Sequence, residues 1–181
     1  VLEPERDAAR VRDAVGKHYE VRVDANRRWS REQYEAFLSH LHGAPLDFVE
    51  EPPFASSNIP AALDETLIKT DWSPAFDEAD VLVVKPALIG LERTLALARL
   101  HKRVVASSCF EAGAGLAHVA SIGAALADDA QGLGTYAWLA EDPFAFEELL
   151  DDEGVAFDVG AGEEALRAFA RRVLEQRHYD H

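Results

Sequence analysis

Charged side chains directly follow four successive apolar segments of the chain. They are Asp24, Glu50, Asp64 and Lys85. Short apolar runs bounded by polar residues are typical of strands in a parallel sheet, so we expect each of these side chains at the carboxyl end of a strand. Three carboxylates that converge on one point repel one another unless a cation lies between them. Oxygen ligands from separate strands favour Mg²⁺, and the absence of His and Cys among them disfavours Zn²⁺.

Each charged residue also has an ordinary structural interpretation. Asp24 could form a turn, and Asp64 could cap the following helix. Glu50 could lie at a solvated edge, and Lys85 could extend its ammonium group from the strand end into solvent. Four charged strand ends in succession nevertheless favour a common site, because the carboxyl ends of barrel strands converge on one axis.

Helical and extended patterns alternate along the chain. The predicted helices cover residues 3–15, 31–40, 91–100, 113–127 and 163–176, and the predicted strands cover 19–23, 46–49, 59–63, 81–84, 104–106 and 135–139. We expect Gly16 to form the C-terminal cap of the first helix and Ser30 to cap the start of the second. This alternation predicts one α/β domain over residues 1–181, built on a parallel sheet. No Gly-x-Gly-x-x-Gly motif follows a strand, which disfavours a dinucleotide site.

Composition excludes several kinds of partner. The 181 residues carry 18 Lys and Arg against 33 Asp and Glu, a net charge of −15, which argues against binding nucleic acid or an anionic membrane. Apolar runs stay well short of the roughly 18–20 residues that span a bilayer. Cys109 is the only cysteine, so we expect no internal disulfide and a reducing, cytoplasmic location. A small-molecule partner is therefore favoured.

Ordered motifs in the chain resemble those of the enolase superfamily. They are Arg22-Val23-Asp24-Ala25-Asn26-Arg27, Glu50-Glu51-Pro52, Asp64-Glu65 and Val84-Lys85-Pro86. Later motifs most resemble the o-succinylbenzoate synthase family within it; these are Ser107-Ser108-Cys109-Phe110-Glu111, Gly115-Leu116 and Gly132-Leu133-Gly134-Thr135. The resemblance implies a parallel (β/α) barrel that is incomplete in this sequence, since the family has an N-terminal capping domain and two barrel strands before the matching part.

The resemblance also implies roles for individual residues. The implied Mg²⁺ ligands are Asp24, Glu50 and Asp64, and the implied catalytic residue is Lys85, a cation that stabilises the enolate. The implied substrate-lining residues are Gly90, Ser107 and Ser108. Asn26 and Glu65 are expected behind the metal ligands, where they would orient them.

The reaction implied by the resemblance is a Mg²⁺-dependent syn dehydration. It converts 2-succinyl-6-hydroxy-2,4-cyclohexadiene-1-carboxylate to o-succinylbenzoate through an enediolate, in menaquinone biosynthesis. The family's base, a lysine on the second strand, is expected upstream of residue 1. We therefore expect residues 1–181 to be inactive alone and to need the N-terminal segment, in cis or as a second chain. The alternatives are an N-acylamino-acid racemase, a dipeptide epimerase, a muconate cycloisomerase, or a non-catalytic barrel fragment.

One spacing departs from a regular barrel. Only 14 positions separate Glu50 from Asp64, whereas 26 separate Asp24 from Glu50. A parallel crossover needs about a dozen residues or more and usually contains a helix. Either a helix has been lost between these strands, or residues are absent from the sequence between positions 52 and 59.

Overall fold

The computed structural model describes residues 3–70, 74–100, 103–111, 113–127, 129–135, 150–151 and 154–155. The helices in these ranges are α1 Pro4–Gly16, α2 Arg31–His40, α3 Glu65–Lys69, α4 Ala75–Glu78, α5 Pro86–Ile89, α6 Leu91–Leu100 and α7 Gly113–Leu126. The strands are β1 Arg22–Asp24, β2 Phe48–Glu50, β3 Ala61–Leu63, β4 Val81–Val84, β5 Val104–Ala106, β6 Leu150–Asp151 and β7 Gly154–Val155. None of the helices within these ranges is both long and apolar enough to cross a bilayer.

The main sheet has five strands in the order β1-β2-β3-β4-β5. The first four strands pair in parallel, and the register sets Asp24 opposite Glu50 and Glu50 opposite Ala62. Every residue of β4 and β5 is buried, as expected of a parallel sheet with covered faces. The predicted parallel α/β architecture is therefore confirmed. The strands β6 and β7 form a separate antiparallel pair.

The chain divides into two compact units. One contains Val1–Val84 with Glu92–Val104, and the other contains Lys85–Leu91 with Val105–His181. The boundary passes through β5. The prediction of a single domain over residues 1–181 stays a prediction. The helix predicted over 163–176 lies outside the described residues, as does the strand over 135–139 apart from Thr135, which is in a short 3₁₀ turn.

Packing of α1 and α2 against the start of the sheet forms a core in the first unit. Ala8 and Val11 contribute the buried side of α1. The rings of Trp29, Tyr34 and Phe37 pack together, with Trp29 and Phe37 centred 4.6 Å apart. This aromatic cluster fixes α2 beside the strand that carries Asp24.

Local capping signals explain where these helices begin and end. Ser30 and Gln33 form a reciprocal capping box at the start of α2, which confirms the predicted cap. The predicted role of Gly16 is wrong, because Gly16 is the last residue of α1. His18 takes the left-handed conformation instead, at φ 67°, and the N–H groups of His18 and Tyr19 bond back to Val15 and Ala14.

The connection from β2 to β3 contains no helix. Every residue in the range 51–60 is described, and only an isolated antiparallel bridge between Ser56 and Ile59 interrupts its irregular backbone. Phe54 packs edge-on against Tyr34 with ring centroids 5.0 Å apart, and the Arg31 guanidinium lies 4.7 Å from the Phe54 ring centre. These contacts hold the connection against α2, and its helix-free backbone agrees with loss of the crossover helix.

A buried ion cluster joins the amino ends of the strands in the first unit. Arg22 Nε donates to Asp47 Oδ2 at 2.7 Å, and a guanidinium nitrogen of Arg103 lies 2.6 Å from Asp47 Oδ1. Both guanidinium groups also face the ring of Phe48, at 4.8 and 5.5 Å. Burial raises the pKa of Asp47, but hydrogen bonds and charge from Arg103 and Arg22 outweigh this and hold its pKa below the usual range.

Candidate active site

Asp24 and Glu50 lie side by side at the carboxyl ends of β1 and β2. Because they are register partners in a parallel pair, their side chains leave the same face of the sheet. Asp24 is exposed, and its Oδ1 accepts a hydrogen bond from the Asn26 N–H at 2.6 Å. The Asp24 side chain thus bonds to the backbone two residues on, as its ordinary interpretation as a turn former expects, and the role of Asn26 behind a metal ligand stays a prediction.

Asp64 directly follows β3 and is buried, with 3% of its surface exposed. It occupies the N-cap position of α3, yet its side chain makes no capping hydrogen bond. The helix-cap interpretation of Asp64 is therefore wrong for its carboxylate. The neighbouring Glu65 has a buried Oε2 with no hydrogen-bond partner among the described residues. Two carboxyl groups are thus packed at the end of this strand.

Glu51 is the residue at this edge whose role the sequence did not reveal. Its side chain is 7% exposed, and Oε1 accepts hydrogen bonds from the N–H groups of Asp64 at 3.0 Å and Thr66 at 2.8 Å. Oε2 accepts from the Thr66 hydroxyl at 2.9 Å and lies 3.9 Å from Arg27 Nε. Glu51 therefore caps α3 from the neighbouring strand. A second carboxylate directly after a strand end was the only sequence signal for it.

Six described non-glycine residues have left-handed backbone conformations; two of them, His18 and His42, follow helices, and the other four follow strands. Asn26 and Arg27 after β1, Glu51 after β2 and Phe110 after β5 have φ between 46° and 65°. Such conformations cost of the order of 1–3 kcal/mol each and are typical of functional sites. In the first unit, Asn26, Arg27 and Glu51 place this strain directly beside the acidic strand ends of β1 and β2.

The chemistry of the donors fits a hard cation such as Mg²⁺. Three carboxylates follow three adjacent parallel strands, and Asp64 stands two positions after Ala62, the register partner of Glu50. The buried Glu65 oxygen is a further donor without a hydrogen bond in the described part of the chain. As the side chains stand, however, no three His, Cys, Asp or Glu residues in the described ranges are arranged to hold a metal ion. The metal ligands stay a prediction.

Lys85 directly follows β4 and belongs to the second unit. It is half-buried and caps α5, where its carbonyl accepts hydrogen bonds from the N–H groups of Leu88 and Ile89. Gly90 ends this short helix at φ 81° and ψ 158°, a region that essentially only glycine occupies. Space for a side chain at Gly90 is open, so the requirement for glycine comes from the backbone alone.

Ser107 and Ser108 lie beside the segment that contains Gly132. Ser107 pairs in parallel with Gly132 through an isolated bridge, and the Ser108 N–H donates to Gly132 O at 2.9 Å. The Ser108 hydroxyl is buried and lies 2.6 Å from Thr135 Oγ1 and 3.2 Å from Gly132 O. Ser108 thus joins this segment to the end of β5, a role the sequence did not indicate. Contact of either serine with a substrate stays a prediction.

The fold defines the class of protein. A sheet whose strands lie in chain order, are parallel in the pairs β1–β2, β2–β3 and β3–β4, and mostly have helices between them, is the arrangement of the (β/α) barrel, in which active sites lie at the carboxyl ends of the strands. Residues 2–163 match the family described as Enolase C-terminal domain-like, and the chain belongs to this family. The predicted resemblance is thereby confirmed, together with the fold class of a parallel barrel that is incomplete in this chain.

Two known proteins are similar to the chain in sequence. The chain is similar to Protein PHYLLO, chloroplastic, of Arabidopsis thaliana, with 31% identity over 169 residues that cover 73% of this chain and 10% of PHYLLO. It is similar to the o-succinylbenzoate synthase of Aliivibrio fischeri (strain MJ11), with 30% identity over 122 residues, 58% of this chain and 38% of the synthase. The chain therefore spans less than two fifths of the length of either relative.

A solved crystal structure has a similar fold to this chain. The muconate lactonizing enzyme of Pseudomonas fluorescens, crystallised with muconolactone, superposes with a TM-score of 0.61 and 26% identity. The superposition covers 78% of this chain and 44% of that enzyme. Enzymes with different substrates thus share the fold of this chain, so the fold alone does not select one reaction.

Proposed function

We propose that the chain is the C-terminal part of an o-succinylbenzoate synthase barrel that acts in menaquinone biosynthesis. The observation that carries the proposal is the series of strand-end residues Asp24, Glu50 and Asp64, in a chain that is 30% identical to the Aliivibrio fischeri synthase. Its substrate would be 2-succinyl-6-hydroxy-2,4-cyclohexadiene-1-carboxylate. The single Cys109 suits the reducing cytoplasm as the location.

In this proposal Asp24, Glu50 and Asp64 hold a Mg²⁺ ion. The shared face of Asp24 and Glu50 supports this, as does the placement of Asp64 after the neighbouring strand. When bound, the ion supplies positive charge at the substrate carboxylate. Asn26 orients Asp24 through its N–H, and the Glu65 carboxyl group completes the acidic surroundings.

Lys85 supplies the second positive charge of the proposed site. The proton on the carbon α to the substrate carboxylate leaves to a base, which the family resemblance assigns to a strand upstream of residue 1. The ammonium group of Lys85 stabilises the negative charge that then develops. The hydroxyl on the adjacent ring carbon then takes up the proton that the base removed and leaves as water, so the net change is loss of one water and formation of the aromatic ring. Gly90 and Ser107 would line the substrate.

The direct test is an assay of the protein that carries this sequence together with an upstream barrel segment. We expect formation of o-succinylbenzoate, followed by its ultraviolet absorbance, which stops with EDTA and returns with Mg²⁺. Lys85→Ala should lower kcat by about 10²–10³, the usual cost of removing one charge-stabilising group. Lys69→Ala, which removes an exposed lysine at the end of α3, should leave kcat unchanged.

Assays on N-acylamino acids, dipeptides and muconate run in parallel with the dehydration assay. Turnover of one of these in place of the dehydration substrate would assign a sister activity within the family. Absence of Mg²⁺-dependent turnover on every substrate, in a folded protein with the complete barrel, would leave the non-catalytic interpretation.

A further inference from the structure

Glu51 makes four hydrogen bonds to the neighbouring strand β3 and to the start of α3, which follows it. Its N–H donates to Ala62 O at 2.8 Å, and its side chain accepts from the Asp64 N–H, the Thr66 N–H and the Thr66 hydroxyl. Bonds from N–H groups to a carboxylate are shorter and roughly twice as strong as those between neutral groups. They offset the cost of burying a carboxylate with only 7% exposure.

The same carboxylate also reaches the connection after β1. Arg27 Nε lies 3.9 Å from Glu51 Oε2. Glu51, which directly follows β2, therefore contacts the segments that follow β1 and β3. Asp24 and Glu50 are the last residues of β1 and β2, and Asp64 directly follows β3.

An ordinary helix cap would not need this arrangement. The N-cap residue of α3 is an aspartate, a side chain that is well suited to capping its own helix, yet it makes no such bond. The cap comes instead from a residue 13 positions earlier, on the neighbouring strand end, in a left-handed conformation with φ 46°. A local cap would stabilise α3 alone, whereas this one also fixes the distance between two strand ends.

We propose that Glu51 is a positioning residue, which holds the end of β3 against the end of β2 and so sets the spacing between Asp64 and Glu50. Its significance for a metal rests on the proposed function, in which both are ligands. Glu51 itself would act through geometry and would not touch the metal or the substrate. A side chain with a carbonyl oxygen at the Oε1 position should therefore hold the end of β3 as well as the carboxylate does. A shorter side chain should not hold it.

Two variants separate geometry from charge. Glu51→Gln keeps the side-chain length and an oxygen that can accept the Asp64 and Thr66 N–H groups, but it removes the charge. Glu51→Asp keeps the charge but is one methylene shorter. Glu51→Ala removes both, and Glu35→Ala, at an exposed glutamate of α2, is the matched control.

The experiment measures amide hydrogen exchange and Mn²⁺ affinity in the same proteins, with Mn²⁺ as the paramagnetic substitute for Mg²⁺. The Leu82 amide, which donates to Arg103 O, reports on the sheet as a whole. We expect Glu51→Ala and Glu51→Asp to speed exchange at the Asp64 and Thr66 amides and to weaken Mn²⁺ binding by about 10–100-fold, the usual cost of removing a residue that orients ligands. Glu51→Gln and Glu35→Ala should resemble the wild type in both measurements.

Several results would overturn the proposal. One is unprotected Asp64 and Thr66 amides in the wild type, or unchanged protection in Glu51→Ala. Another is faster exchange with undiminished Mn²⁺ affinity, which would reduce Glu51 to a simple cap. If Glu51→Asp behaves as wild type and Glu51→Gln does not, charge and not geometry is what matters. If the wild type protects both amides but binds no Mn²⁺, the proposed metal site is refuted. Amide exchange in the variants would still show whether Glu51 holds the end of β3 in place.

Discussion

The two ends of the parallel strands in the first unit carry charge in opposite ways. At the amino ends, one buried carboxylate, Asp47, lies between the guanidinium groups of Arg22 and Arg103. At the carboxyl ends, the acidic residues Asp24 and Glu50 end β1 and β2, and Asp64 directly follows β3. The nearby Glu51 carboxylate accepts hydrogen bonds from backbone N–H groups.

This difference assigns the two ends different roles: the amino ends of the strands contribute to stability, and the carboxyl ends are suited to chemistry. Opposite charges in direct contact stabilise one another, so the Asp47 carboxylate at the amino end has its counter-charge within the chain. A row of carboxylates is stabilised only when positive charge is brought to it. In (β/α)-barrel enzymes the catalytic residues likewise lie at the carboxyl ends of the strands, whereas the opposite face serves stability. The comparison predicts that substitutions at the two ends will affect different measurable properties.

The largest effect is expected from Asp64→Asn. The substitution keeps the size of the side chain but removes the charge of a proposed ligand. We expect Mg²⁺-dependent turnover and Mn²⁺ affinity to fall at least about 100-fold, more than the loss of a residue that only orients ligands. Calorimetric titration and circular dichroism should show lost binding in a folded protein. Unchanged metal affinity in Asp64→Asn would show that Asp64 is not a metal ligand and would contradict the proposed metal site at the carboxyl end.

At the amino end, Asp47→Asn should act on stability and leave metal binding unchanged. Two partly buried guanidinium groups lose their counter-charge, which should lower the free energy of unfolding by about 2–3 kcal/mol. Urea titration measures this loss. The control is Asp13→Asn, at an exposed pair with Lys17, which should change stability by less than about 0.5 kcal/mol. Equal effects of both substitutions would contradict the comparison.

Acid should remove the contribution of Asp47 gradually. Its pKa is lower in the folded protein than the value of about 3.9 expected in an unfolded chain. The unfolded state therefore binds more protons in acid, so the stabilisation is complete above that value and is lost as pH falls through the folded pKa. The difference in unfolding free energy between wild type and Asp47→Asn should be constant above about pH 5 and smaller near pH 3. A difference independent of pH would show that ionisation of Asp47 is not involved.

The smallest effect is expected from Arg27→Gln. Arg27 is 47% exposed and lies 3.9 Å from Glu51 Oε2, so the pair should contribute less than about 1 kcal/mol. We expect a small loss of stability in urea titrations at low salt that disappears at about 1 M salt, where screening is strong. A loss as large as that of Asp47→Asn would show that an ion pair also stabilises the carboxyl end.

Local signals in the sequence located several elements correctly. The predicted bounds of α2, α6 and β5 match the structure, because a capping box, an amphipathic repeat and a short aliphatic run each depend on neighbouring residues. Pro86 begins α5, where the first helical position tolerates a missing N–H. That helix is too short to produce a periodic pattern.

The candidate site was predictable only in part. The order of strands placed Asp24 and Glu50 on neighbouring strand ends, because sequential strands in such a sheet are adjacent. The role of Glu51 depends on N–H groups 13 and 15 positions away, which no local pattern indicates. The burial of the Ser108 hydroxyl likewise depends on Gly132 and Thr135, residues distant in sequence.

The helix-free connection between β2 and β3 also bears on the order of folding. Residues 51–60 form a loop of ten residues, and a loop of that length closes in about 10–100 ns. Parallel pairs normally form late, because a long crossover must be ordered before any strand contact rewards it. Here the entropy of closure is smaller, and Phe54 gains its contact with Tyr34 in the same step. We expect β2 and β3 to pair early, so that the part of the sheet that carries Glu50 and Asp64 nucleates the rest.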